Sequence, residues 1–370
     1  MKKNSTAKWE SKKGVQNGAE PLGTVGLDLG DRYSHYCVLD GGGQKVAEGR
    51  VATEPAAMEA WLKGLGRVRI AMEVGTASPW VSRLVEGCGQ EAIVGDARRV
   101  RAIWENRQKS DQVDAEMLAR LARVDRTLLK PVRHRNEQAQ VDLAMVRARD
   151  TLVRARTMVI NTVRSVGKGM GVRLPKCSAE CFAKQVQGLI PAVLHEALNR
   201  LRVEGEQLTG SIRVYDRMLE KLAQERYPET QRLEQIRGVG PVTSLAYVLT
   251  LEDPRRFPRS RVVGAYLGLT PRRDQSGNSD PQLPISKAGN EYLRRLLVSC
   301  AHYILGPFGE DSELRQWGLR LAERGGKNGK KRAVVAVARK LAVLLHRLWV
   351  TGAVYEPWRR TQQPAVTAVA

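Results

Sequence analysis

The sequence predicts an α/β sheet domain, then two long helices, then a mostly α-helical domain. Three observations predict it. Short apolar runs alternate with helical patterns at the start of the chain. A seven-residue apolar rhythm takes over near Val141, and beyond residue 229 the pattern is helical with Gly-, Ser- and Pro-rich loops.

In order, residues 1–21 are polar and basic and read as an unstructured arm. TVGLDLG is a strand, and YSHYCVLDGGGQKVAEGRV gives two more around the turn at Gly41, Gly42 and Gly43. Pro55 opens a short helix to Leu65, because a proline is tolerated in a first turn. RVRIAMEV is a strand, Ser78 to Cys88 a helix, EAIVGD a strand and RRVRAIWENR a helix. That order predicts an α/β sheet with an antiparallel hairpin on one side, over residues 22–135.

From Val141 the apolar positions Met145, Ala148, Leu152, Ala155, Val159, Thr162 and Val166 recur at steps of four and three. Arg147, Arg149, Arg154, Arg156 and Arg164 fall off this seam. After a Gly- and Pro-containing break at 167–191, Leu194, Leu198, Leu201, Gly205, Leu208, Ile212, Tyr215, Leu219 and Leu222 resume it, until Pro228. Residues 136–228 therefore read as a coiled-coil hairpin, a dimerisation element or a plain helical-bundle segment. Residues 229–358 form the helical third region, and 359–370 a polar tail.

Composition narrows the partners. Lys and Arg number 61 against 39 Asp and Glu, a formal charge of +22 spread over most of the chain. Such a surplus disfavours acidic-protein mimicry and favours a polyanionic partner. A membrane-surface role wants a basic helix faced with aromatics, and aromatics are only 5%. No run of eighteen apolar residues offers a membrane span, and no secretory signal is visible, so a cytosolic protein is expected. The five cysteines lack a C-x-x-C pair. Cys177 and Cys181 have no second Cys/His pair near them, which disfavours zinc. The five histidines form no spaced set, and no G-x-S-x-G elbow suggests a Ser-His-Asp hydrolase.

Chemistry concentrates elsewhere. Asp28 ends an apolar strand between Gly26 and Gly30, and Glu73 ends another in RIAMEVGT. A carboxylate in such a place is costly unless it binds something. Asp111 and Asp114, three apart at the start of a strong helix, point the same way. Helix capping accounts for part of this pattern, but like charges at that spacing repel, and a bound cation relieves them. Carboxylate oxygens suit Mg²⁺ or Mn²⁺, and two such ions stabilise both oxygens of a phosphodiester displacement. This acid order has the layout of RuvC-like nucleases, which have an RNase-H-like fold.

In LEQIRGVGPVTSL, Arg237, Gly238 and Gly240 have a helix-hairpin-helix form that grips phosphates through backbone N–H groups. The alternative is a helical corner with a glycine cap, and phosphate binding is the favoured reading. The loop in GLTPRRDQSGNSDPQLPISKAGNEYLRR sets Ser276 and Ser286 among Arg272, Arg273 and Lys287. Loop serines usually form turns, but cations that hold a scissile phosphate make one a candidate nucleophile. Lys330 and Lys331 open a last basic, apolar-faced helix.

VGLDLG, AMEVGT, KSDQVDAEMLA, IRGVGP, GLTPRRDQSG, ISKAGNEYLRR and NGKKRAVVAVARKLA together resemble the insertion-sequence 110 family of DEDD transposases, over about Gly23 to Trp358. These are bridge-RNA-guided recombinases. The resemblance implies that Asp28, Glu73, Asp111 and Asp114 are the DEDD acids binding Mg²⁺, and that Ser276 of the S-G motif is the nucleophile. It further implies a covalent serine–DNA link, donor and target DNA, a structured guide RNA, and dimers paired into tetramers. In such an assembly the acids and the serine come from different subunits. The spacer between the S-G and S-K-x-G elements carries two prolines, which leaves Ser286 as the alternative nucleophile. The competing readings are a Holliday-junction-resolvase-like two-metal nuclease and a non-enzymatic nucleic-acid packaging protein.

Overall fold

The computed structural model describes residues 23–96, 110–281 and 283–358. The expected arm (1–21), the expected helix RRVRAIWENR and the expected tail (359–370) lie outside the described residues. Two compact units divide after Arg135.

The first unit is a five-stranded sheet in the order β3-β2-β1-β4-β5. Its strands are β1 (Gly23–Asp28), β2 (Tyr33–Leu39), β3 (Lys45–Ala52), β4 (Val68–Glu73) and β5 (Glu91–Gly95). β1, β2 and β3 pair antiparallel, while β1–β4 and β4–β5 are parallel. The parallel strands need crossovers, and the helices α1 (Pro55–Lys63) and α2 (Ser78–Gly87) supply them. Both helices cover one face: Met58, Leu62, Val81 and Val85 pack with Val25, Leu27, Ile70 and Met72. The helix α3 (Asp111–Val124) covers the other face through Ala115, Ala119, Leu118 and Ala122, against Cys37, Leu39, Ala71 and Ile93.

One residue sets that second layer. A Cβ at Gly26 would stand 1.8 Å from the Ala115 carbonyl oxygen and 2.5 Å from the Ala119 nitrogen. Only a glycine lets the helix lie directly on β1.

In the second unit, α4 (Glu137–Gly169) and α6 (His195–Arg226) are long and antiparallel, with the short α5 (Phe182–Gln185) between them. Arg149 bonds Asp216, Arg156 bonds Thr209 and Arg226 bonds Asp142, so one helix ascends as the other descends. The buried row of α4 is Ala139, Asp142, Leu143, Val146, Arg156, Ile160, Val163 and Gly167, mostly one residue displaced from the expected seam. Val141, expected inside, is 54% exposed. The reason is that the true contact row carries charged residues, Asp142 and Arg156. Counting apolar residues therefore selected its flank. On α6 the expected Leu198, Gly205, Ile212, Leu219 and Leu222 are buried.

The remaining helices are α7 (Thr230–Leu233), α8 (Pro241–Leu251), α9 (Arg261–Tyr266), α10 (Glu291–Leu305), α11 (Glu313–Arg324) and α12 (Gly329–Thr351). α8 is buried almost throughout, and its Tyr247 hydroxyl donates to the Ala342 carbonyl at 2.7 Å. Ala139, Leu143, Leu219 and Leu222 of the long pair belong to this same core. Among the described residues no helix is long and apolar enough to cross a membrane.

Candidate active site

Asp28 is the last residue of β1, and Glu73 the last of β4. The parallel register sets Leu27 against Met72, so the two acids follow at the carboxyl ends of adjacent strands. Gly26 and Asp28 share a sheet face, since residues two apart do. Gly26 touches Ala115, and Asp111 lies one turn before Ala115, so the start of α3 comes over Asp28. Ser110 caps that helix by accepting from the Val113 N–H, which fixes the first turn carrying Asp111 and Asp114.

The four predicted acids therefore share one end of the sheet, and their charges register it. The Asp28 carboxyl is pushed up from 3.8 to about 6, first by burial, then by the charges of Asp111, Asp114 and Glu73; His35 opposes the shift. Among the described residues no group of three His, Cys, Asp or Glu side chains closes on a common point tightly enough to hold an ion. The donor set nevertheless fits a hard divalent cation in kind. It is all carboxylate oxygen, and its mutual repulsion is what such an ion removes.

Sequence reasoning missed His35. It lies opposite Asp28 in the β1–β2 register, and its Nδ1 is 3.5 Å from an Asp111 carboxylate oxygen. The signal was present in the hairpin: pairing VGLD with YSHYCVL around the glycine turn brings His35 across from Asp28.

In the second unit, residues 268–289 form a clasped excursion. The Arg272 N–H donates to the Pro284 carbonyl, Ser286 N–H to Thr270, and Lys287 N–H to Gly268. Lys287 itself has φ 55, a conformation that a non-glycine residue adopts only when held. Arg294 helps hold it, donating to the carbonyls of Leu267 and Ala288. At the exposed tip, Ser276 and Ser279 exchange backbone hydrogen bonds in a tight turn through Gly277. Arg273 reaches across that tip to Gln275 at 2.6 Å and to Asp280 at 3.5 Å. Ser286 is different. It sits half-buried at the base, its hydroxyl accepting from the Ala288 N–H. Arg272 and Lys287 are exposed on the same excursion.

Gly238, in the expected helix-hairpin-helix, has φ +97, and a Cβ there would meet the Tyr303 ring at 2.7 Å. Gly240 is the extended cap of α8, and Arg237 is exposed and paired with Glu310 at 3.1 Å. Lys330 and Lys331 are exposed in the first turn of α12.

Comparison with known proteins matches residues 25–170 to a model of IS110-type DEDD transposases, described as "Transposase". Residues 230–310 match the model described as "Transposase IS116/IS110/IS902 family". The transposase for insertion sequence element IS1111A of Coxiella burnetii is 29% identical over 333 residues, 88% of each chain. The transposase for insertion sequence element IS1328 of Yersinia enterocolitica is 28% identical over 281 residues, 75% of this chain and 82% of its own. A pilin gene-inverting protein of Moraxella bovis is 29% identical over 113 residues, 30% of this chain and 34% of its own. The matches over the α/β sheet unit and over the helical second unit thus identify a DNA transposase. Within that class, the chain belongs to the IS110 family.

Proposed function

We propose that this transposase cuts and rejoins DNA strands to excise and insert an insertion sequence, through a covalent Ser276–DNA intermediate assisted by Mg²⁺ or Mn²⁺ at Asp28, Glu73, Asp111 and Asp114. The observation that carries the acid half is geometric: Asp28 and Glu73 end adjacent parallel strands, and Gly26 lets the helix that starts at Asp111 lie directly on β1. The sheet order, with acids at the ends of adjacent strands, supports an RNase-H-like, RuvC-like domain. Ser276 rather than Ser286 is favoured because Ser276 stands exposed at a loop tip, while the Ser286 hydroxyl is engaged at the base.

In this reading the Ser276 hydroxyl oxygen bonds to the scissile phosphorus as the bond to one sugar oxygen breaks. The proton lost by serine balances the proton gained by the departing oxygen. Rejoining reverses the exchange with a hydroxyl of the incoming strand. Arg272, Arg273 and Lys287 hold the phosphate, and a divalent ion held by Asp28, Glu73, Asp111 and Asp114 would supply positive charge to the reacting oxygens. Arg237, Gly238, Gly240, Lys330 and Lys331 grip backbone phosphates away from the cut. A relative named for inverting a pilin gene supports cutting coupled to rejoining. The partners are donor and target DNA and a structured guide RNA, bound by homodimers that pair into tetramers in the bacterial cytosol.

A plasmid excision assay in cells tests the scheme. Asp28→Asn, Asp114→Asn and Ser276→Ala should each abolish strand exchange while DNA binding persists. A Ser276→Ala protein that still cuts points to a two-metal nuclease instead. RNA co-purifying with the wild type should be one defined species from the flanks of its own gene; random RNA contradicts the guide.

A further inference from the structure

Four carboxylates repel a phosphodiester, so a DNA strand needs positive groups beside them. The sheet supplies one such group, Arg50, with an imidazole beside it, on the face that carries the acids. Residues directly opposite in antiparallel strands share a face, and Asp28 lies opposite His35, which lies opposite Arg50 on the edge strand β3. The row crosses two strand spacings, about 10 Å. Tyr33, two residues before His35, shares the face as well.

No described element covers this row. α3 lies on the same face, and its first turn reaches β3 through Gln112, which bonds Glu48 at 3.3 Å. Glu48 stands opposite Cys37, one step nearer the hairpin turn than the His35–Arg50 pair, and the helix starts there. Beyond it Tyr33 is 48% exposed and Arg50 is exposed. The Arg50 guanidinium lies over the Tyr33 ring at 4.6 Å from its centroid. Stacking fixes the plane of the guanidinium while leaving its N–H groups for a phosphate, and it leaves the second face of the ring open. His35 is held beside the acids through its Nδ1 contact with Asp111, and Nε2 remains for a second partner.

We infer that Tyr33, His35 and Arg50 form a lane for the single DNA strand being cut, with Arg50 and His35 on its phosphates and Tyr33 stacking a base next to the acids. A basic groove joined to an aromatic platform is how single strands are held without sequence preference. This inference rests on the acids being the cutting site.

The test uses the full chain in EDTA with oligo(dT) carrying single 5-iododeoxyuridines, irradiated and mapped by mass spectrometry. The expected result is an adduct on Tyr33. Fluorescein-labelled oligo(dT) should bind Arg50→Gln about five- to tenfold more weakly, with a salt slope smaller by about one. Tyr33→Ala should weaken binding about fivefold with the slope unchanged. Absence of a Tyr33 adduct, with wild-type affinity and slope in Arg50→Gln, overturns the lane. An adduct with oligo(U) but not oligo(dT) overturns its assignment to DNA. The underlying reading fails separately: Asp28→Asn retaining full strand exchange removes the cutting site even if the Tyr33 adduct forms.

Discussion

Asp28 holds a position that folding alone does not favour. Its carboxyl is raised to about 6 from 3.8, so between those values the folded protein binds more protons than the unfolded one. The sign follows. Asp28 is best tolerated below its unfolded value, and its cost is fully present once the pH exceeds about 6. Asp28→Asn should therefore melt higher than wild type at about pH 8, by about 1 kcal/mol after discounting for solvent screening, with the difference vanishing near pH 4. Added Mg²⁺ should raise the wild-type melting temperature and close the gap. A melting series over pH, with and without the ion, checks both. An equal melting temperature at all pH values would show that the four acids do not share one field.

At the level of elements, the described part of the first unit was readable from the sequence because each of its strands and helices carries its own signal. Apolar runs ended at Asp28 and Glu73, and Pro55 and the Asp111–Asp114 pair marked helix starts. The contact that aligns the acids was not readable. It depends on Gly26 admitting α3 at backbone distance, and nothing local marks that glycine as different from Gly30. Gly26→Val should displace α3 and cost more than about 4 kcal/mol, read as loss of the cooperative melt or rapid proteolysis of residues 22–135. The α4 seam was misplaced for a related reason: a buried arginine breaks the apolar count. Arg156 is 8% exposed, bonds Thr209 through one nitrogen and leaves its Nε without a partner. Burial holds its pKa below the usual range. Arg156→Met should stabilise the helix pair by about 1 kcal/mol, because an apolar residue there loses no buried charge. A lower melting temperature would mean the arginine contributes more than it costs.

For the whole molecule, the +22 charge marks a nucleic-acid protein but not a mechanism. The mechanism proposed above uses two chemistries encoded far apart in the chain: an acid set in the first unit and a serine loop in the second. Each was legible as a motif. Their joint use in one reaction is the claim that sequence spacing alone cannot establish, since no local pattern links residue 28 to residue 276. The most direct measurement traps the intermediate. Protein, guide RNA, DNA bearing the element ends and Mg²⁺ are mixed, quenched in detergent, digested, and the peptide carrying a nucleotide is sequenced by mass spectrometry. The prediction is a phosphodiester on Ser276, absent from Ser276→Ala and from Asp114→Asn. A nucleotide on Ser286, or strand exchange with no adduct at all, would contradict it.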